Sequence, residues 1–298
     1  MKTLLDIAIV ILTVSMMFSV GLELEARHFR DLAHHKTAFL GALIGQMIVL
    51  PAIGIFVVRT IPLPESLQMG ILLLAACPVG DVANFYTLLA RGDPALSVAV
   101  NSASSLLSCL SMPVVFGIYS RATGTVFPFS VPFLTLVGRL IVLVGIPIVG
   151  GMGLRALRSG MADKISQKLR IACVVGVLVI CTVVIGGRYE QLMLDWKAVF
   201  FASLFLIVVA MAVGYAIGQA FRLRRPEVIT LAILLPVRNV GLAVTIAVTL
   251  MDRLEYVVLA TVYFLTEAFV LLGCVVLFRY LWAAAPGPPS ARTRLIQP

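Results

Sequence analysis

The sequence predicts an all-α polytopic membrane protein of about nine transmembrane helices, arranged as an inverted repeat. Three observations carry that expectation. The 298 residues are 61% hydrophobic and 12% charged, with a mean hydropathy of +1.08; soluble domains are about half apolar and a quarter charged. Nine apolar runs approach the roughly 20 residues needed to cross a bilayer core of about 30 Å. Two of those runs carry the same proline-centred interruption.

The composition excludes a soluble enzyme, a disordered chain and a nucleic-acid binder, because too few polar groups remain to cover a surface in water. The net charge of +9 does not restore a nucleic-acid reading, since the basic residues lie between apolar runs, where membrane proteins place them. Cys77, Cys109, Cys173, Cys181 and Cys274 fall inside apolar runs without metal-ligand spacing. They read as small buried hydrophobes.

The runs cover 4–22, 37–58, 67–90, 95–119, 131–154, 171–187, 198–221, 228–251 and 256–278. The first is read as a retained helix and not a signal peptide, because it lacks a small-residue cleavage site, carries Asp6 near its start and leads into a charged loop. Nine spans put the termini on opposite sides. The N-terminal side carries 6 Lys and Arg and the other side 15, so the positive-inside rule places the N-terminus outside and the C-terminus in the cytoplasm. The loop 155–170 has room for a short surface helix at most. The chain thus reads as one integral membrane domain over 1–282, with one repeat at about 1–120 and the other at about 130–282. The Pro-rich basic tail, 283–298, is expected to be disordered.

The third run contains Cys77-Pro78-Val79-Gly80-Asp81-Val82-Ala83-Asn84, and the eighth contains Leu235-Pro236-Val237-Arg238-Asn239-Val240-Gly241. Proline removes a backbone donor and clashes with the preceding turn, so each helix is expected to break there. The two runs are five apart and cross in opposite directions. Paired interrupted helices in an inverted repeat point to the binding site of a secondary transporter; the bland alternative is ordinary membrane-helix proline, as at Pro51, Pro113 and Pro147. A second echo, Gly41-x-x-Ile44-Gly45-Gln46 with Gly214-x-x-Ile217-Gly218-Gln219, sits at unmatched depths and reads as helix-contact glycine and nothing more.

Charged residues at mid-membrane usually face a cavity or a partner. Asp81, Arg238 and Glu267 lie there. Asp81 and Arg238 belong to the repeated motifs and are expected to meet, either as functional groups or as a structural ion pair. Glu267, left without an obvious partner, is a candidate proton carrier or a protonated structural group. Arg139 is placed to snorkel outward, and Asp6 to be wet. His28, His34 and His35 read as a solvated or lipid-headgroup face, not as metal ligands. No phosphate loop, H-E-x-x-H or G-x-S-x-G is present, so nothing supports an enzyme.

Three stretches resemble the bile acid:sodium symporter family, including its bacterial homologues. Phe18-Ser19-Val20-Gly21-Leu22-Glu23-Leu24 is similar to an F-x-x-G-L-x-L helix end. Cys77 to Asn84 with Ala90-Arg91-Gly92-Asp93-Pro94-Ala95-Leu96-Ser97 is similar to a C-P-x-G-x-x-S-N…A-x-G-[ND]-x-x-L-S signature. Arg238-Asn239-x-Gly241-Leu242-Ala243 is similar to an E-x-x-x-Q-N-x-x-L-A segment. The resemblance implies a core domain with two crossing broken helices, a panel domain, and alternating access to an organic-anion site between them. Bacterial members often have ten helices, and this chain is expected to lack the first.

The resemblance further implies a sodium site at Asn84, Ser97 and Asn101, and a second involving Gln46 and the other broken helix, with Asn239 beside it. The pattern's serine falls on Ala83, its shared glutamate on Leu234 and its glutamine on Arg238. Leucine offers a hard cation neither charge nor side-chain oxygen, and a guanidinium repels it. These departures argue against coupling to two sodium ions. Arg238 is read as a tethered replacement for one of them, with Asp81 supplying the carboxylate that Leu234 does not.

The expectation is a secondary transporter for a small organic anion, bile-acid-like or carboxylate. One Na⁺, a proton on Glu267 or Asp81, or uncoupled exchange are left as couplings, and no other cofactor is expected. The alternatives are a transport-dead membrane sensor or scaffold, and a channel. The partners expected are the anion and the lipid bilayer, with no nucleic acid, in a bacterial inner membrane.

Overall fold

The protein is described by a computed structural model covering residues 2–24, 35–123, 133–187 and 189–284. His28, His34, the side chain of Asp6 and nearly all of the 283–298 tail lie outside the described residues.

Among the described residues eleven helices follow one another, besides a 3₁₀ turn at Leu254–Tyr256: α1 (Lys2–Glu23), α2 (Lys36–Thr60), α3 (Glu65–Ala76), α4 (Val82–Leu89), α5 (Pro94–Thr123), α6 (Phe133–Leu157), α7 (Ser159–Gly187), α8 (Tyr189–Ala220), α9 (Arg225–Leu234), α10 (Val240–Leu250) and α11 (Val257–Ala284). Among the described residues, α2, α5, α6 and α7, with Asp195–Ala220 of α8 and Leu254–Tyr280 around α11, are long and apolar enough to cross a membrane alone; Ile7–Glu23, α3 and α10 are shorter apolar helices. The third and eighth sequence runs are therefore each two short helices in tandem, α3 with α4 and α9 with α10.

The order long, long, broken, long over α1 to α5 recurs over α7 to α11, leaving α6 without a counterpart. The stretch expected as a loop at 155–170 is instead helical except at Arg158, since α6 ends at Leu157 and α7 begins at Ser159. Arg155 closes α6, Arg158 sits at the break, and Lys164, Lys168 and Arg170 ride the first turns of α7, where long cationic stems can cover apolar surface while their heads reach the interface.

Burial separates two kinds of helix. In α9 every residue from Glu227 to Leu234 is buried, and α3 is buried from Met69 to Ala76. By contrast, α6, α7, α8 and α11 present large apolar side chains outward, among them Leu134, Val149, Ile171, Val179, Phe201 and Phe269. A soluble monomer does not expose that much contiguous apolar surface. The short helices α3, α9 and α10 form the buried centre, and α6, α7, α8 and α11 present the apolar outer wall.

Close helix approach depends on the glycines of the second sequence echo. A Cβ on Gly41 or Gly45 would lie 2.8 or 2.7 Å from Ile217 of α8. The two Gly-x-x-Ile-Gly segments thus meet as helix contacts. Gln46, beside Gly45 in a π-turn of α2, is carried into the interior.

Candidate functional site at the crossing of the broken helices

Helix α3 stops where Cys77 turns extended, φ −62° and ψ 145°, as the following Pro78 requires. Between the paired breaks the backbones run antiparallel and form one isolated bridge, Val79 with Arg238. The Gly80 amide donates to Val237 O at 3.1 Å, and the Asn239 amide to Pro78 O at 2.9 Å. Gly80 is needed for this approach: a Cβ there would sit 2.7 Å from the Arg238 carbonyl oxygen.

Every polar backbone group freed at such a break must find a partner away from water. Side chains supply most of them. Ser104 Oγ accepts from Val79 N at 3.3 Å, Tyr263 OH donates to Pro236 O at 2.5 Å, and Asn239 Oδ1 caps α10 by accepting from Leu242 N at 2.9 Å. The Cys77 carbonyl takes two donors, Gln46 Nε2 at 2.6 Å and Arg238 Nη1 at 3.2 Å. Glu267 Oε2 accepts from Arg238 N at 3.4 Å. Glu267 therefore faces a backbone donor.

Asp81 and Arg238 are brought to the same crossing but not into contact, since no ion pair within 4.0 Å joins them. The Arg238 guanidinium turns towards Cys77 O, while Asp81 Oδ1 accepts from Asn101 Nδ2 at 3.2 Å.

Asn84, Ser97 and Asn101 sit on facing surfaces of α4 and α5. Ser97 Oγ donates to Asn84 Oδ1 at 2.8 Å and accepts from Thr87 at 3.4 Å. Asn84 Nδ2 donates to Glu23 Oε2 at 3.0 Å. Asn101 Oδ1 is buried with no hydrogen-bond partner among the described residues. This patch has oxygen donors suited to a hard cation. At Gln46 the fit is poor: its Oε1 has no partner among the described residues, but the adjacent Cys77 carbonyl already carries two donors, one of them the Arg238 guanidinium. Leu234, wholly buried, adds only apolar bulk. Among the described residues no group of three His, Cys, Asp or Glu could hold a metal ion.

Two openings reach the crossing. A pocket with about 470 Å³ of empty space, part of it open to solvent, is lined by Met16 on α1, Asp81, Arg170, Val177, Arg238 and Asn239, among others. A wider cleft of about 1680 Å³ runs between α4 and the start of α7, past Glu23, Asn84, Arg155 and Arg170. Glu23 spans this cleft, accepting from Arg170 on α7 at 3.2 Å and from Asn84 on α4.

Three residues were missed in the sequence. Glu23 and Arg170 gave no motif signal, because their partners are 61 and 147 residues away. His35 is not a freely solvated group: its Nδ1 lies 2.7 Å from Glu227 Oε1 and 3.0 Å from Arg224 Nη2, and its Nε2 3.6 Å from Asp93. Arg224 also donates to Glu227 from both backbone and side chain. Burial pushes the Glu227 carboxyl up, but the hydrogen bonds from Arg224 and His35 outweigh it and hold the carboxyl below the usual glutamate range.

Comparison with known proteins gives the family. The chain is 25% identical over 231 residues to YocS, an uncharacterized sodium-dependent transporter of Bacillus subtilis, covering 78% of this chain and 70% of that protein. It is 27% identical over 240 residues to BASS1, a probable chloroplastic sodium/metabolite cotransporter of Arabidopsis thaliana, covering 80% of this chain and 58% of the relative. With sodium/bile acid cotransporter 4 of Rattus norvegicus it shares 28% over 214 residues, covering 70% of this chain and 48% of the relative. The chain thus spans about half the length of the rat protein. The profile of the sodium bile acid symporter family matches residues 10–195, more than half of the chain. With its paired broken helices already described, the chain belongs to the sodium bile acid symporter family.

Proposed function

We propose that the protein is a secondary transporter that moves a small organic anion, bile-acid-like or carboxylate, by alternating access around the crossing. The observation that carries this reading is the antiparallel pairing of Pro78-Val79-Gly80 with Val237-Arg238-Asn239 beside a cavity. Irregular backbone at membrane depth is tolerated where it lines a site. Helices α1, α6 and α7 form the panel that rocks against the remaining helices, and the cleft bridged by Glu23 is the access path in this state. By its charge distribution the protein lies in a bacterial inner membrane with the C-terminus in the cytoplasm.

The same reading makes Arg238 a fixed cation. The carbonyl ends of a broken helix gather negative potential, and here a guanidinium already answers it at Cys77 O. Any exchangeable Na⁺ is then confined to the patch of Asn84, Ser97 and Asn101, where Asn101 Oδ1 has no partner; a proton or uncoupled exchange are the other couplings.

Counterflow of a labelled organic anion in proteoliposomes tests the transport reading. Accelerated uptake into vesicles preloaded with unlabelled anion supports it, and its absence across bile acids and short carboxylates favours a membrane sensor or scaffold. The coupling is read separately, from the thermal midpoint in NaCl against choline chloride at fixed ionic strength. A sodium-specific rise supports one Na⁺ site.

A further inference from the structure

The cavity at the crossing holds a carboxylate that the fold does not neutralise. Asp81 is 9% exposed and forms part of the cavity wall. Among the described residues its one hydrogen bond comes from Asn101 Nδ2 at 3.2 Å, and no cationic nitrogen lies within 4.0 Å. The neighbouring charges are engaged elsewhere. Arg170 on α7 pairs with Glu23 on α1 at 3.2 Å. Arg238 donates to Cys77 O, and Glu267 on α11 faces the Arg238 amide.

A buried carboxylate without a counter-charge is costly in a low-dielectric site, so something that enters the cavity must answer it. A simple anion would do the reverse and repel it where screening is weak. Asp81 thus offers a donor-rich cation a charged oxygen acceptor on one side of the cavity. The Arg170 guanidinium, 44% exposed at its side chain, lines the same cavity and supplies the opposite charge. Cys173, Val174, Val177 and Phe264 add an apolar wall.

We infer that Asp81 selects the cargo, and that the cargo carries a basic nitrogen as well as its anionic group. Its ammonium sits on Asp81, its acid lies towards Arg170, and its apolar body rests on α7. This deepens the transporter reading and rests on it: the organic anion becomes an amino-bearing organic acid.

The test is the thermal midpoint of the purified full-length protein with matched pairs of probes: propionate with β-alanine, butyrate with γ-aminobutyrate, and valerate with δ-aminovalerate. In the wild type the amino-bearing member is expected to give a shift several-fold larger than its plain partner. In Asp81→Asn that preference should disappear or reverse, and Asp81→Thr provides a second neutral variant if the first does not fold. The wild-type pairs decide alone if neither does. Equal shifts within pairs, no shift from any probe, or unchanged discrimination in a neutral variant overturns the assignment. So does a plain-acid shift that grows on acidification in the wild type and not in Asp81→Asn, since a proton would then supply the charge. Counterflow of the best probe separates the two readings. Binding without counterflow leaves Asp81 as the selector and removes transport, whereas counterflow of plain acids alone removes the selector and leaves transport.

Discussion

Arg238 Nη1 reaches the carbonyl of Cys77 at 3.2 Å, so the side chain of one broken helix closes the C-terminal end of the other. The contact is reciprocal to the backbone bridge beside it, in which Gly80 donates to Val237 and Asn239 to Pro78. The crossing is held by hydrogen bonds that exist only when both breaks are in place.

Gly80→Ala tests how tightly that pairing is set. The added methyl would meet the Arg238 carbonyl oxygen at 2.7 Å, and backbone on both sides leaves nothing flexible to give way. Overpacking of this kind costs about 1–3 kcal/mol. A thermal midpoint well below wild type is expected, with Gly80→Val lower still. An unchanged midpoint would mean the two backbones separate without loss.

Arg238→Gln tests the fixed cation. The variant leaves the Cys77 carbonyl with Gln46 alone and removes a guanidinium that is 5% exposed. Loss of a charged hydrogen bond of this kind costs about 1.5–3 kcal/mol. If the guanidinium stands in for an exchangeable cation, Na⁺ should recover part of that loss in the variant. The measurement is the midpoint in NaCl against choline chloride for both proteins. Full stability and undiminished counterflow in Arg238→Gln would remove the role.

Legibility in the sequence followed range. The proline breaks were readable because Pro78 and Pro236 act on their own helices through local sterics, and the repeat was readable because the motifs are near-copies. That the breaks would pair backbone to backbone was not in either motif; it depends on Gly80 and on how α3 and α9 pack. Asp81 and Arg238 were placed at the crossing correctly as positions, but side-chain direction depends on third parties, Asn101 and Cys77. His35 looked solvated because its partners, Glu227 and Asp93, lie far along the chain. The stretch 155–170 read as a loop because its charge suggested solvent, whereas its basic residues are shared between the end of α6, the break at Arg158 and the beginning of α7.

Glu227 makes the network around His35 sensitive to acid. Its carboxyl is held below the usual glutamate range in the folded protein, so its contribution to stability is fully present above the unfolded-state value near 4.3. That contribution is lost as pH falls through the lower folded-state value. Glu227→Gln should lower the midpoint at neutral pH and flatten its decline on the acid side. Parallel pH profiles for variant and wild type would contradict the assignment.

On the alternating-access cycle proposed above, Glu23 on α1 ties the panel to the rest of the protein through Asn84 on α4, and pairs with Arg170 on α7 within the panel. The ion pair is partly exposed, 44% at Arg170 and 17% at Glu23, and pairs of this sort contribute about 0–1 kcal/mol. Glu23→Gln should therefore leave the midpoint nearly unchanged. Its effect belongs to the cycle: each separation of α1 from α4 breaks the link, so weakening it favours the parted state. Counterflow in Glu23→Gln is expected to start several-fold faster than in wild type, whereas Arg170→Gln, whose pair with Glu23 stays within the panel, should leave the rate nearer to wild type. A normal rate in Glu23→Gln would show that the link does not resist the motion, and a fall in midpoint together with the rate would show that Glu23 acts on the fold instead.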